Sequence, residues 1–389
     1  MKNFRCQVLF ITISVAFVCL GHLIVIQRSL HGRSSWFQMS PDAKQYIRMV
    51  KGEEAIPPYC HRFLVPSIAS LLPMSADSAL RFISYFCLIL TYCVGFLILN
   101  QLRFDLCTMT VSSCCLFAST GHLLFYQNPY LTDAFGLMCL ILMLYFLIRN
   151  KTFAFGISAC VGVLARESSL FLVPSFVVTK RWGSFVVLLC VSIACYFIPR
   201  MLLGGPTHSH LILPSHWTYY VKMYFTFGIL WIPILTGLLL CNKESFPAIL
   251  LAFLSLLLGA FISSLVARDT IRMFVVIMPV GLITLSYYFS ELKLINRPLF
   301  IVTVLLSLLN IPLALPTSFF PYDCQRMAAL EEFYYHLKWP IIMLHFAGFL
   351  VIMASIVLMR RKLRTQFQEK LASIRHIICT QMINRLRYP

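Results

Sequence analysis

Charge is scarce in this chain: Asp, Glu, Lys and Arg together make up 12% of its 389 residues, and only 14 residues are acidic. That share is about half of what the surface of a soluble globular protein needs, so a water-soluble fold is excluded. A cysteine framework is also missing. The 15 Cys fall mostly inside apolar stretches, as at Cys87, Cys93, Cys139, Cys160 and Cys190, where a thiol behaves as a small hydrophobe. They show neither zinc-site spacing nor a disulfide scaffold. No small-x-small cleavage site precedes Gln27 and Arg28, and the apolar stretch from Val8 to Ile26 is longer than a signal-peptide core. It is expected to remain as a first membrane span.

What the sequence holds in quantity is hydrocarbon. Hydrophobic residues amount to 59%, Phe alone to 33 residues, and the mean hydropathy is +0.82. A bilayer core about 30 Å thick takes roughly 20 apolar residues per helical span. Apolar stretches of about that length recur at 7–27, 78–100, 106–126, 133–148, 152–165, 168–179, 184–203, 219–240, 246–267, 271–290, 298–315 and 340–359. Inside hydrocarbon the backbone must satisfy its own hydrogen bonds, which selects helices. The expected fold is all-α: a polytopic transmembrane bundle of 11–12 apolar helices. Stretches 152–165 and 168–179 are each short for a span, so they are expected to form a hairpin with Arg166 and Glu167 at its buried tip. One membrane domain would fill residues 1–359, with a basic tail at 360–389.

The net charge of +18 does not point to nucleic acid, because Lys and Arg sit in short turns and in the tail rather than in one basic domain. Arg103, Arg149 with Lys151, Lys180 with Arg181, Lys243, and Lys293 with Arg297 occupy alternate turns, which marks the cytoplasmic side. The loop at 28–77, with short amphipathic helices, then lies outside. This topology puts Asp42, Asp133, Arg166, Glu167, Arg268, Asp269 and Arg272 on that same external face. Charges at the ends of spans are costly and commonly face a bundle interior or an aqueous cavity, so their gathering suggests a site.

Each of these residues also has a plain structural reading. Ser40-Pro41-Asp42 is a helix start, with Ala43, Ile47 and Val50 on one face and Lys44, Arg48 and Lys51 on another. Asn128 to Asp133 is a tight turn in which Thr132 or Asp133 would cap the next helix. Arg166 and Glu167 would either pair with each other or present Arg166 to a phosphate. Arg268 and Arg272 are four apart on one helical face, suited to bidentate phosphate binding. Tyr59 and Arg62, just before an apolar stretch, would anchor at the interface or hold an anionic head group.

Taken together and in order, several of these elements resemble the GT-C superfamily of membrane glycosyltransferases. They are Asp42 and Tyr46 after the first span, then Pro58, Tyr59, Arg62, Leu64 and Pro66. Thr132-Asp133, Ala165 to Ser168, and Arg268, Asp269 and Arg272 follow. The resemblance covers residues 7–290. It implies transfer of a sugar from a polyprenyl-phosphate donor to a glycan or lipid acceptor at the external face, with inversion. Asp42 would be the general base, and Asp133 would position the acceptor or hold a divalent metal. Arg62, Arg166, Arg268 and Arg272 would stabilise the leaving phosphate, with Tyr46, Tyr59, Glu167 and Asp269 lining the site. The paired acidic motif of the superfamily is absent at Asp42, which leaves metal dependence open. The expected location is a bacterial inner membrane with a periplasmic site, or the endoplasmic reticulum with a lumenal one. The alternative is a transporter or flippase for an anionic lipid or solute, against which counts the lack of repetition between the two halves.

Overall fold

The computed structural model describes residues 2–31, 41–57, 59–117, 119, 125–126, 128–203, 226–264, 270–308, 346–370 and 372. The fold is all-helical, and no strand occurs among the described residues. In chain order the helices are α1 (Lys2–His31), α2 (Pro41–Val50), α3 (Leu64–Ser70), α4 (Ala76–Gln101), α5 (Leu106–Phe117), α6 (Asp133–Ile148) and α7 (Thr152–Ala165). A 3-10 helix, Glu167–Thr179, follows, then α8 (Trp182–Leu202), α9 (Trp231–Leu240), α10 (Phe246–Ser264) and α11 (Thr270–Phe274). A 3-10 turn, Val275–Ile277, joins α11 to α12 (Met278–Ile295), and α13 (Arg297–Leu308) comes next. The last described helix, α14, spans residues 346–370.

Among the described residues, four helices are long and apolar enough to cross a membrane: Ala76–Gln101, Trp182–Leu202, Phe246–Ser264 and Arg272–Ile295. The protein is therefore a membrane protein by length and composition of its helices. Shorter apolar helical segments among the described residues, of 10–17 residues each, are Val8–Gly21, Leu106–Phe117, Asp133–Ile148, Thr152–Ala165, Glu167–Thr179, Gly228–Leu240 and Arg297–Leu308. Within stretch 106–126, α5 runs from Leu106 to Phe117 among the described residues. The helix that carries the final apolar stretch continues past residue 359 to residue 370, through Arg360, Arg361 and Lys362. Lys362 reaches Glu291 at 2.5 Å and Glu369 reaches Lys243 at 2.9 Å, so the first part of the basic tail packs on the bundle.

Burial grades the helices from centre to edge. The helix Arg272–Ile295 has 89% of its apolar window buried, whereas Trp182–Leu202 has 11%. The former is the axle of the bundle and the latter an outer stave. The axle packs tightly on α9 because Gly237 offers no Cβ: one placed there would overlap the Thr284 backbone carbonyl. On the other side, Phe10 stacks on Phe96 at 5.1 Å and Phe17 meets Tyr92 edge-on at 5.2 Å, joining α1 to α4.

The short pair of apolar stretches does form a hairpin, and its second arm is wound as 3-10 helix over 13 residues, Pro174 included. At about 2.0 Å per residue this arm reaches roughly 26 Å, a length an α-helix would need about 17 residues to match. Its first arm, α7, ends where Arg166 adopts an extended backbone (φ −160°, ψ 127°).

Helix polarity then separates two ends of the bundle. Helix α6 opens with Asp133 and stops at Ile148, before Arg149, a run of 16 residues, or about 24 Å. The 3-10 arm opens with Glu167 and is capped by Lys180. The axle runs from Arg272 to Lys293, where Lys293 meets Asp105 at 2.9 Å. Arg149, Lys180 and Lys293 thus lie one helix length from Asp133, Glu167 and Arg272.

Candidate functional site

At the first of those ends, side chains from five parts of the chain form a polar network of two ionic groups, one around Arg272 and one around the Arg62–Glu167 pair, that meet where the Tyr46 and Tyr59 rings pack together. Helix α2 contributes Asp42 and Tyr46. Its apolar positions explain the placement: Ala43 and Tyr46 are fully buried, while Lys44 and Arg48 stay exposed. Gly52, at φ +76°, a conformation few other residues adopt, turns the chain back after α2. The chain then returns through a short 3-10 turn, Tyr59–His61, that brings Tyr59 and Arg62 under α2. The Tyr46 and Tyr59 rings pack edge to face at 5.8 Å.

Arg272, at the head of the axle, is the hub. Its Nη1 donates to Asp42 Oδ2 at 2.9 Å and its Nη2 to Asp133 Oδ2 at 2.7 Å. Asp133 also pairs with Arg166 through its other oxygen. Tyr59 Oη donates to the remaining oxygen of Asp42 at 2.7 Å. Arg62 forms a two-pronged pair with Glu167, Nε to Oε2 at 2.9 Å and Nη2 to Oε1, and its Nη1 donates to Tyr46 Oη at 3.1 Å. Gly136 makes room for the buried Arg166: a Cβ there would sit 3.2 Å from that side chain.

Two structural readings of the sequence are corrected here. Arg166 and Glu167 do not pair with each other. The extended backbone at Arg166 sends the two side chains to different partners, Asp133 and Arg62. Nor is the start of α6 capped by a side chain: Thr132 makes no capping bond and Asp133 spends its carboxylate on arginines. Arg268 and Asp269, as well as Ser40 and Pro58, lie outside the described residues. Of the ten site residues expected from sequence, the other eight stand in this network.

Two residues belong here that sequence reading passed over. Arg200, near the end of α8, lies 3.9 Å from Glu167 and stacks over the Tyr196 ring at 3.6 Å. It interrupts the apolar stretch 184–203, and that was a usable signal. His61, between Cys60 and Arg62, is buried at 3% exposure, and neither ring nitrogen has a hydrogen-bond partner among the described residues.

The electrostatics favour an anion. Four guanidinium groups (Arg62, Arg166, Arg200, Arg272) face three carboxylates (Asp42, Asp133, Glu167). Arg166 is 3% exposed and Asp133 10%. Charges so deeply placed contribute little net stability compared with apolar packing, so their presence suggests function rather than fold. Burial alone would raise the Asp42 carboxyl. The Arg272 charge, the hydrogen bonds from Tyr59 and Arg272 and the Arg62 charge outweigh it, and hold Asp42 below its usual range. Burial and the bond to Asp42 push the Tyr59 hydroxyl far up, so it stays a donor.

Beside the network lies a small cavity of about 10 Å³, room for one water-sized group, with two kinds of wall. Asp133, Arg166, Ser168 and Arg272 line one part, and Phe125, Leu137, Leu140, Val275 and Val276 the rest. Among the described residues no three His, Cys, Asp or Glu side chains cluster as metal ligands. The two aspartates nearest each other are both turned onto the Arg272 fork. The chain matches no family model, and no curated protein matches it.

Proposed function

We propose that the protein is an inverting glycosyltransferase of GT-C type that moves a sugar from a polyprenyl-phosphate donor to a hydroxyl-bearing glycan or lipid acceptor at a membrane surface. The observation that carries this reading is the Arg272 fork. A guanidinium on the buried axle is held between two carboxylates and beside a cavity half polar and half apolar. A lipid phosphate has the same two-sided character, with a charged head for the arginines and a hydrocarbon tail for the apolar wall, and its entry has to widen this water-sized cavity.

The chemistry follows from who holds Arg272. With the carboxylates on it, Asp42 is ionised but a weak base. A phosphate arriving at Arg272 and Arg166 competes for the fork, and an Asp42 released from the cation becomes a stronger proton acceptor. Asp42 then takes the proton of the acceptor hydroxyl as its oxygen bonds to the anomeric carbon. The bond from that carbon to the phosphate oxygen breaks, and its electron pair leaves on the phosphate, whose growing charge the guanidinium groups stabilise. Attack opposite the leaving group inverts the anomeric centre. Tyr59 positions Asp42, and the Arg62–Glu167 pair fixes the turn that carries Tyr59.

Purified protein in proteoliposomes, supplied with a panel of polyprenyl-phosphate sugars, tests the reading. Wild type turns over at least one donor, while Asp42→Asn remains folded and loses turnover by at least about a hundredfold. Full activity in Asp42→Asn removes the assigned base. Failure of wild type on every donor, together with uptake of a labelled anionic lipid or solute, would favour the transporter instead.

A further inference from the structure

We propose that His61 is a substrate-binding residue of this site, and that its imidazole receives a hydroxyl of the donor's sugar. The inference rests on the transferase reading and deepens it by naming where the sugar is held.

The turn Tyr59–His61 and the residue after it place three polar side chains in sequence at the network. Tyr59 is committed to Asp42, and Arg62 to Glu167 and Tyr46. His61 is the one left without a partner: buried, with both ring nitrogens unbonded among the described residues. Buried imidazoles ordinarily satisfy at least one nitrogen, so a ring with two open positions at a charged site has the form of a receptor without its ligand. The charges that bear on it are Arg200 and Arg62 on one side and Glu167 on the other. Burial first, then the Arg200 charge, lowers its pKa, so the ring is neutral in neutral solution.

The neutral state decides the ligand chemistry. A neutral imidazole offers one N–H donor and one bare nitrogen acceptor. A phosphate or carboxylate oxygen accepts only, and would leave the bare nitrogen unmet. An ammonium donates only, and would leave the N–H unmet. Hydroxyl groups do both, and a sugar carries several. The phosphate belongs with Arg272 and Arg166, next to the cavity, and His61 stands instead with Arg62, Glu167 and Arg200. This second group, rich in donors and acceptors, is the natural seat for the sugar.

Binding of two probes separates the outcomes: a bare polyprenyl phosphate and the polyprenyl-phosphate sugar that wild type prefers. The variants are His61→Leu, which removes both bonding positions, and His61→Gln, which keeps a donor and an acceptor. His61→Leu should bind the bare lipid as wild type does, bind the sugar-bearing lipid about tenfold more weakly, and melt no lower than wild type without ligand. His61→Gln should recover part of the tenfold loss. Equal preference for the sugar-bearing lipid in wild type and His61→Leu overturns the assignment and leaves the transferase reading standing. A His61→Leu protein that melts well below wild type while His61→Gln melts and binds as wild type assigns the ring to a structural water, which also overturns it. Failure of wild type to bind either probe would remove the transferase reading and this inference together.

Discussion

Replacing Arg272 with Ala should expose how much of the site is held by one guanidinium. Its two Nη atoms meet Asp42 at 2.9 Å and Asp133 at 2.7 Å. Without it the two carboxylates face each other at roughly 5 Å, and with an effective dielectric of about 20 their repulsion is about 3 kcal/mol. Asp133 keeps Arg166, but Asp42 keeps only the Tyr59 hydroxyl as a direct partner among the described residues. Arg272→Ala should therefore lose about 3 kcal/mol of stability, and Asp42→Asn placed on top should return at least about 1 kcal/mol by removing the orphaned charge. Arg272→Lys should behave more like Ala than like Arg, since an ammonium is a point charge and cannot fork to two carboxylates. Denaturant or thermal unfolding in detergent, run as a double-mutant cycle, reads these differences. Additivity of Arg272→Ala and Asp42→Asn within about 0.5 kcal/mol would refute the bridge.

Tyr59→Phe should cost about 1.5 kcal/mol at neutral pH by deleting a hydrogen bond to a charged group. The Asp42 carboxyl is held below its ordinary 3.8, so its contribution is complete above that value and is lost as pH falls through the folded-state pKa. The gap between wild type and Tyr59→Phe should therefore close in acid, and a gap constant with pH would show that the Tyr59–Asp42 bond is not its source. Gly136→Ala should be nearly silent, because a Cβ at 3.2 Å from the Arg166 side chain needs only a small shift. Gly136→Val should push Arg166 off Asp133 at a cost of about 1–3 kcal/mol, measurable in the same melts. Lys370 is 4% exposed, donates to the Leu238 and Leu239 carbonyls at the end of α9 and lies 4.2 Å from the Phe246 ring centre. Lys370→Ala should loosen the end of α14 and speed cleavage there by a protease that cuts after Lys or Arg; unchanged cleavage would show that the lysine does not hold the helix.

The helices were legible because hydrocarbon imposes one rule on every span, and long apolar runs such as 78–100 or 271–290 obey it without help from distant residues. What escaped was decided elsewhere. No local pattern marks Glu167–Thr179 as a 3-10 arm. Its winding answers the length of the bundle it must cross and the packing of Ser169, Leu172 and Phe176 against neighbours, all of them buried. The run of α14 to residue 370 was hidden for a related reason: Arg360 to Lys362 look like the end of a span, but the helix continues where Glu291, Lys243 and Phe246 lie ready to receive Lys362, Glu369 and Lys370.

The candidate site divides along the same line. Membership was readable residue by residue, since a charge beside an apolar run is expensive wherever it stands, and that cost together with a shared side of the membrane selected Asp42, Asp133, Arg166, Glu167 and Arg272, along with Arg268 and Asp269, which lie outside the described residues. Partnership was not readable. Asp42 and Arg272 are 230 positions apart, and Arg62 and Glu167 are 105 apart, whereas the pairing suggested by adjacency, Arg166 with Glu167, is undone by a single extended residue. Arg200 met the criterion of cost and was passed over because it looked like the end of a span. His61 did not meet it, because a neutral imidazole raises no charge to notice. Only the fold shows that His61 is buried beside three charged neighbours with both nitrogens unbonded among the described residues, which makes it the residue of this site whose role most depends on what binds there.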